Sequence, residues 1–284
     1  MTYVPAHIND FTNGYRPMPT NINAAQIEYW NEVSGPKWVR MQEDLDAQLV
    51  PLQQALLARV NAQPGAHILD IGCGCGATSL ALAQVVGDSG TVTGLDVSNP
   101  MLEHARHRAH AQGLINVEFL QGDAQVYPLP PARYDRIVSR FGIMCFEDPA
   151  AAFANLRASL KPDGTLTFIC WRVMDENPWM TVPLKAAAQY LPVPPPSDDP
   201  HAPGPASLAD PERTRQLLSE AGFTTIDIDP HDDFMHLGPD GTIDASIDFI
   251  TKIGPVSRML QDADPEITQK VKDAIRETLK SHNG

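Results

Sequence analysis

Three glycines spaced two apart, Gly72, Gly74 and Gly76, join a short apolar run, His67–Ile71, to a small-residue amphipathic stretch, Ala77–Val86. Asp96 follows twenty residues after Gly76, at the end of a second apolar run, Thr91–Asp96. Glycine at such a junction permits positive φ and lets a ligand approach the backbone closely. A carboxylate at the end of the next strand can accept both hydroxyls of a ribose, in a pocket beyond the carboxyl ends of the strands. These residues therefore suit a nucleoside. Two cofactor classes fit, the nicotinamide dinucleotides and S-adenosylmethionine. The chain lacks the G-x-G-x-x-G spacing and a cue for pyrophosphate, which weighs against the first.

Other reactive side chains give weaker signals. His201, His231 and His236 fall in segments that could face a substrate, with His231 set between Asp229 and Asp232-Asp233. A solvated surface histidine is the commoner reading of each. His104, His107 and His110 share a helical face and have no cysteine or acid set beside them, so no metal site is expected. Cys73 and Cys75 lie in the glycine loop, and Cys145 and Cys170 follow the fourth and fifth expected strands. Buried, inert thiols are the expected outcome. Phe141, Met144, Phe146, Trp171 and Trp179 gather by sequence near the same strand ends, where they would line an apolar pocket or pack in the core.

The elements that would carry these residues alternate. Strands are expected at His67–Ile71, Thr91–Asp96, Asn116–Leu120, Tyr134–Ser139 and Thr165–Trp171, with helices between them, and a sixth at Phe223–Asp229. Such alternation implies an α/β fold of the Rossmann-like, doubly wound kind, a mostly parallel sheet with helices on both faces. Before it, residues 24–61 read as two helices from apolar stripes at three-to-four spacing. Eight prolines between 192 and 211 exclude a core strand there, and an extended loop or lid is expected. The last 45 or so residues read as two helices, the first interrupted by Pro255, with no strand after Leu237. The divisions are 1–61, an N-terminal arm and helical lid; 62–175, the core; 176–222, a Pro-rich substrate cap and helix; and 223–284, the sixth strand and C-terminal helices. Together they make one domain.

With 284 residues and a 43% hydrophobic share, a core of this kind is affordable. The formal charge of −14 repels phosphate backbones, and no Lys/Arg run offsets it, so no nucleic-acid partner is expected. The N-terminus lacks a charged stretch followed by an apolar one, and no apolar run reaches membrane-spanning length. Four cysteines without a disulfide spacing suit a reducing compartment, so the cytoplasm is expected, with no membrane partner and a homodimer left open.

Residues 66–171 resemble the core of the class I S-adenosylmethionine-dependent methyltransferases, in the ubiquinone/menaquinone-biosynthesis methyltransferase-like group. The resemblance rests on four motifs in order. They are Asp70-Ile-Gly72-Cys-Gly74-Cys-Gly76; Leu95-Asp96-Val97-Ser98 with Met101; Gln121-Gly122-Asp123-Ala124 with Tyr127-Pro128-Leu129; and Leu160-Lys-Pro-Asp-Gly164-Thr-Leu166. It implies that Gly72, Gly74 and the Cys73 backbone touch the methionine part of the cofactor, with Asp70 anchoring its ammonium through the loop. Asp96 would take the ribose hydroxyls, and Val97 and Met101 would sandwich adenine. Asp123 would accept the exocyclic amine beside Gly122, and Ala124 would donate to a ring nitrogen. Ser139 and Arg140 would border the sulfonium. Cys75 departs from the Thr or Ser usual there. Asn31–Trp38 is similar to a segment that closes over the cofactor in a bacterial subgroup, which would make Trp38 a lid residue or a core aromatic. The implied activity is methyl transfer to a small-molecule acceptor, yielding S-adenosylhomocysteine. An alternative is a fold-mate that binds the cofactor without transferring methyl.

Overall fold

A computed structural model describes residues 23–193, 199, 201–238 and 241–282 of the chain. The expected arm before Asn23 lies outside these residues, as do positions 194–198 and 200 of the Pro-rich stretch. Five strands, β1 (His67–Ile71), β2 (Thr91–Asp96), β3 (Val117–Gln121), β4 (Tyr134–Arg140) and β5 (Leu160–Ile169), form one parallel sheet in the order β3-β2-β1-β4-β5. The order reverses between β1 and β4, the switch point where open α/β sheets bind ligands. Burial explains the strand compositions: Ile68, Leu69, Val92, Ile137 and Val138 are wholly inaccessible, as strands covered on both faces must be.

The N-terminal helices are α1 (Ala24–Glu28), a π-helical turn (Tyr29–Val33), α2 (Ser34–Arg40) and α3 (Gln42–Val60). Within the sheet region, α4 (Ala77–Val86), α5 (Asn99–Ala111) and α6 (Pro149–Ser159) connect strands, and a 3₁₀ turn, Gly142–Cys145, follows β4. Pro100 and Pro149 sit in first turns, where their missing N–H costs nothing. Asp148 caps α6 by accepting from the Ala151 N–H. Beyond β5 come α7 (Pro178–Ala187), α8 (Pro211–Glu220), α9 (Ile243–Lys252), α10 (Pro255–Met259) and α11 (Pro265–His282). The sequence reading had no helix at α7, whose internal Pro183 breaks the usual signal.

The expected sixth strand does not form. Phe223–Asp229 joins no ladder among the described residues. Its apolar alternation is real: Phe223 and Ile226 pack against the core around Leu218. Side chains rather than a ladder hold the segment. Arg215 donates to the Ile226 carbonyl, Arg59 pairs with Asp229, and Arg172 pairs with Asp232 at 2.6 Å. Strand-like patterning reports a half-buried extended chain, and pairing is a separate requirement that it does not test. Strand five also differs. It starts at Leu160, and its register against β4 shifts between Tyr134 and Arg136, which absorbs the Lys161–Gly164 turn.

Candidate cofactor site

Gly72, Gly74 and Gly76 all adopt positive φ, at 62°, 55° and 83°. The loop they form turns from β1 into α4 with its backbone against neighbours. A Cβ on Gly72 would overlap the Gly142 backbone, and one on Gly74 would lie 2.8 Å from the Met101 methyl carbon. This loop and the strand ends surround a cavity of about 1090 Å³, counting the space open at its mouth. The cavity extends from Gly122, Asp123 and Ala124 past Asp96, Val97 and Met101 to Asp70, Arg140 and Phe141.

Asp96 is held for ligand binding by the backbone. Its Oδ2 accepts from the Gly74 N–H and its Oδ1 from the Ser98 N–H, both at 2.8 Å. Burial raises its pKa, and those N–H groups work against the rise. Asp70 is buried beneath the loop and accepts from the Ser79 hydroxyl at 2.6 Å. Burial pushes its pKa up to about 7, opposed by the Ser79 bond and the Arg140 charge. Arg140 is partly buried; its guanidinium lies 3.6 Å from Asp46 Oδ1 and donates to Gln53 Oε1 at 2.7 Å. Burial lowers its pKa, while Asp46 and Asp70 oppose that shift. Asp123 accepts from the Gln125 backbone and side-chain amides.

The site residues expected from sequence divide into two groups. Trp38, Asp70, Gly72, Cys73, Gly74, Asp96, Val97, Met101, Gly122, Asp123, Ala124, Arg140, Phe141 and Phe146 all line the cavity. Ser139 does not; its hydroxyl donates to the Ile71 carbonyl at 2.7 Å, tying β4 to β1. Met144, Trp171 and Trp179 lie outside the lining as well. Trp171 stacks on the back of Phe141 with centroids 4.2 Å apart, and Trp179 packs on Trp171 at 5.5 Å. None of the three candidate histidines lines the cavity: His201 follows Asp199, which accepts from its backbone N–H, His231 faces Asp233 at 3.4 Å, and His236 lies beside Gly241.

The Pro-rich lid takes another place. The Gly204 N–H and the Ser207 hydroxyl both donate to the Met144 carbonyl, and Leu208 enters the core. The described part of the segment thus braces the 3₁₀ turn from behind, and none of it lines the cavity.

Beyond the named site candidates the lining includes Asn23, Gln26, Trp30, Gln42, Leu45, Asp46 and Leu49, all within the segment 1–61 expected as arm and helical lid. Asp46 joins Arg108 at 2.7 Å and accepts from Gln42 at 2.6 Å, so α3 is fastened across the cavity to α5 and β4. Cys73, Cys75 and Cys145 line the cavity as thiols. Burial pushes Cys75 to about 12 and Cys145 to about 11, and Cys73 well above its usual value. No group of three or more His, Cys, Asp or Glu side chains among the described residues could hold a metal ion.

Known proteins meet this geometry at the same segment. Residues 68–164 match a family described as a methyltransferase domain. Over 116 residues the chain is 34% identical to nocamycin O-methyltransferase of Saccharothrix syringae, which covers 41% of either protein. Over 106 residues it is 34% identical to the ubiquinone/menaquinone biosynthesis C-methyltransferase UbiE of Shewanella halifaxensis, 37% of this chain and 42% of that one. The chain thus spans less than half the length of these two relatives. The solved structure of YcgJ from Bacillus subtilis shares the fold, with a TM-score of 0.53 at 21% identity over 76% of this chain and 86% of that one. Residues 68–164 thus match methyltransferase domains, and the relatives that share this segment include one of the ubiquinone/menaquinone group.

Proposed function

We propose that the whole chain transfers a methyl group from S-adenosylmethionine to a small molecule with a largely apolar body. The observation that carries this reading is the cavity itself, lined both by the glycine loop and Asp96 and by the apolar side chains of Trp38, Leu45, Leu49 and Phe141. The residues fit the cofactor's parts. Asp96 offers a carboxylate to the ribose, with its backbone bonds fixing its direction. Asp123 and Ala124 bound the adenine end. Asp70 meets the ammonium, and Arg140, the one cation lining the cavity among the described residues, suits the carboxylate of the methionine part. Asn23 Oδ1, which has no hydrogen-bond partner among the described residues, is a further acceptor on the cavity wall.

The cofactor supplies a methyl group on a positively charged sulfur. Transfer would join the acceptor's lone pair to that carbon as the carbon–sulfur pair returns to sulfur, giving S-adenosylhomocysteine, with the acceptor's proton released to solvent. The protein's part is to align the two and exclude water, an effect worth up to about 7–11 kcal/mol. Phe141, Leu45, Leu49 and Trp38 provide an apolar wall for the acceptor's body. The cavity thiols are held protonated by burial and do not serve as bases. One relative is named for O-methylation and another for C-methylation, so the same core supports either acceptor atom. Four unpaired cysteines support work in a reducing compartment, the cytoplasm. No described helix is long and apolar enough to cross a membrane.

The test is incubation with methyl-labelled S-adenosylmethionine and a panel of phenols, quinols and aliphatic enols. Label in an apolar acceptor, matched by S-adenosylhomocysteine, is the expected outcome. Tight cofactor binding without turnover on the panel or on a metabolite extract would favour the non-methylating alternative.

A further inference from the structure

The π-helical turn Tyr29–Val33 is the one such turn among the described residues, and Asn31 stands at its centre. Single π turns within α-helices are frequent at functional sites. Here the turn brings Asn31 against the loop that carries Asp96. Asn31 Nδ2 donates to the Ile27 carbonyl at 2.7 Å and, across 66 residues of sequence, to the Val97 carbonyl at 2.9 Å. Its Oδ1 accepts from the Asn99 N–H at 3.0 Å. Every hydrogen-bonding direction the amide uses is therefore spent on fixing its own turn and both flanks of Ser98.

Ser98 is the residue whose N–H holds Asp96 Oδ1. Its hydroxyl donates to the Trp30 carbonyl at 2.8 Å, closing a second link between the turn and the loop. Gly35 makes the approach possible: a Cβ there would overlap both the Trp30 carbonyl oxygen and the Ser98 hydroxyl. Asp96 is thus fixed from two sides, by the glycine loop through Gly74 and by the N-terminal helices through Ser98.

We infer that Asn31 is a positioning residue for cofactor binding: it pins Val97 and Asn99 so that Asp96 presents its carboxylate to the ribose, and it makes the N-terminal helical segment part of the cofactor site. This rests on the cofactor reading above. Asn31 itself touches no substrate; it acts through Asp96. Without it Ser98 keeps its hydroxyl bond to the Trp30 carbonyl but loses the anchors on both its neighbours, so its N–H is held less firmly toward the carboxylate.

A double-mutant cycle with S-adenosylhomocysteine as the calorimetric probe tests the link. Asn31→Ala is expected to bind about tenfold more weakly than wild type, the loss of two or three hydrogen bonds of ordinary strength. On an Asp96→Ala background the same change is expected to cost little, because nothing is left to position. A residue with only a structural role gives losses that add. Additive losses, or an Asn31→Ala variant of unchanged affinity, would overturn the inference. If Asn31→Ala does not fold, Asn31→Asp keeps the volume and the acceptor for Asn99 and enters the same cycle with the same expectation. A wild type that fails to bind the probe overturns the cofactor reading and this inference together. A wild type that binds, beside an unaffected variant, overturns this inference alone.

Discussion

Asp70 is a carboxyl whose charge state the ligand should decide. Burial raises its pKa from 3.8 to about 7 in the free protein. Its contribution to stability is therefore present in full below its unfolded value and is lost as pH rises through 7. A bound ammonium reverses that preference, since it favours the carboxylate. S-adenosylhomocysteine affinity is accordingly expected to fall by up to about tenfold per pH unit below 7, with proton release on binding. Calorimetry at pH 6 and pH 8, in buffers of different ionisation heat, reads both quantities. Asp70→Asn should flatten the profile; a steep profile that persists in that variant removes Asp70 as its source. At this scale the sequence was informative wherever a residue type was forced by backbone geometry, as at Gly72, Gly74 and Asp96. It was silent on Asp46, and it gave Asn31 only as the start of a lid-like segment, without a partner. Their roles depend on partners 62 and 66 residues away, Arg108 and Val97, and an acid or amide on a helix looks the same with or without them.

Elements meet at the switch point between β1 and β4, and the tightest meeting is backbone on backbone. A Cβ added to Gly142 would overlap Gly72 Cα and the Ile71 carbonyl oxygen. Here the 3₁₀ turn after β4 lies directly on the glycine loop, and Phe141, at φ 64°, makes the bend that brings it there. A non-glycine residue at positive φ carries local strain, which the Phe141–Trp171 stack and the Phe141 N–H bond to the Ile169 carbonyl hold in place. Gly142→Ala is expected to cost about 1–3 kcal/mol of stability, as overpacking of a filled site does. It should weaken cofactor binding more than Gly113→Ala, where a Cβ meets nothing within 4 Å. Equal binding by the two variants would show that the loop tolerates displacement. The parallel sheet was legible because strands and helices alternate, and such alternation leaves few right-handed arrangements. The sixth strand was not, because a period of two reports which face is buried and says nothing of a hydrogen-bonded neighbour. The described part of the Pro-rich segment is irregular chain, and its place behind Met144 depends on two bonds to one carbonyl that no local pattern announces.

Across the whole molecule, the two flanking helical groups close on each other. Met41 and Leu45 of the N-terminal helices share one buried cluster with Phe249 and Ile253 of α9, and Trp38 and Trp179 pack at its margin. Sequence patterning showed both groups as amphipathic without showing that their apolar faces belong together, since about 200 residues separate them. The arrangement separates two jobs. Among the described residues the cavity lining ends at Phe146, so the C-terminal helices reach the site through intermediaries: Leu45 and Trp38 on one side, and Trp179 and Trp171 against Phe141 on the other. Phe249 is 2% exposed, and truncating such a side chain in a packed core costs about 3–5 kcal/mol. Phe249→Ala is therefore expected to lower the melting temperature by several degrees while S-adenosylhomocysteine affinity in the cold stays near wild type. A deletion through Arg40 should do the opposite in kind: it removes Trp30, Asn31 and Trp38, and affinity should fall even where the core stays folded by circular dichroism. Asp96 would keep only its bond from Gly74 securely placed, and the cavity would open on the side that α1 and α2 now cover. If the deletion binds the ligand as tightly as the full chain, the N-terminal helices serve packing alone. If Phe249→Ala loses affinity in step with stability, the C-terminal helices belong to the cofactor site, and the division of labour between the two ends is wrong.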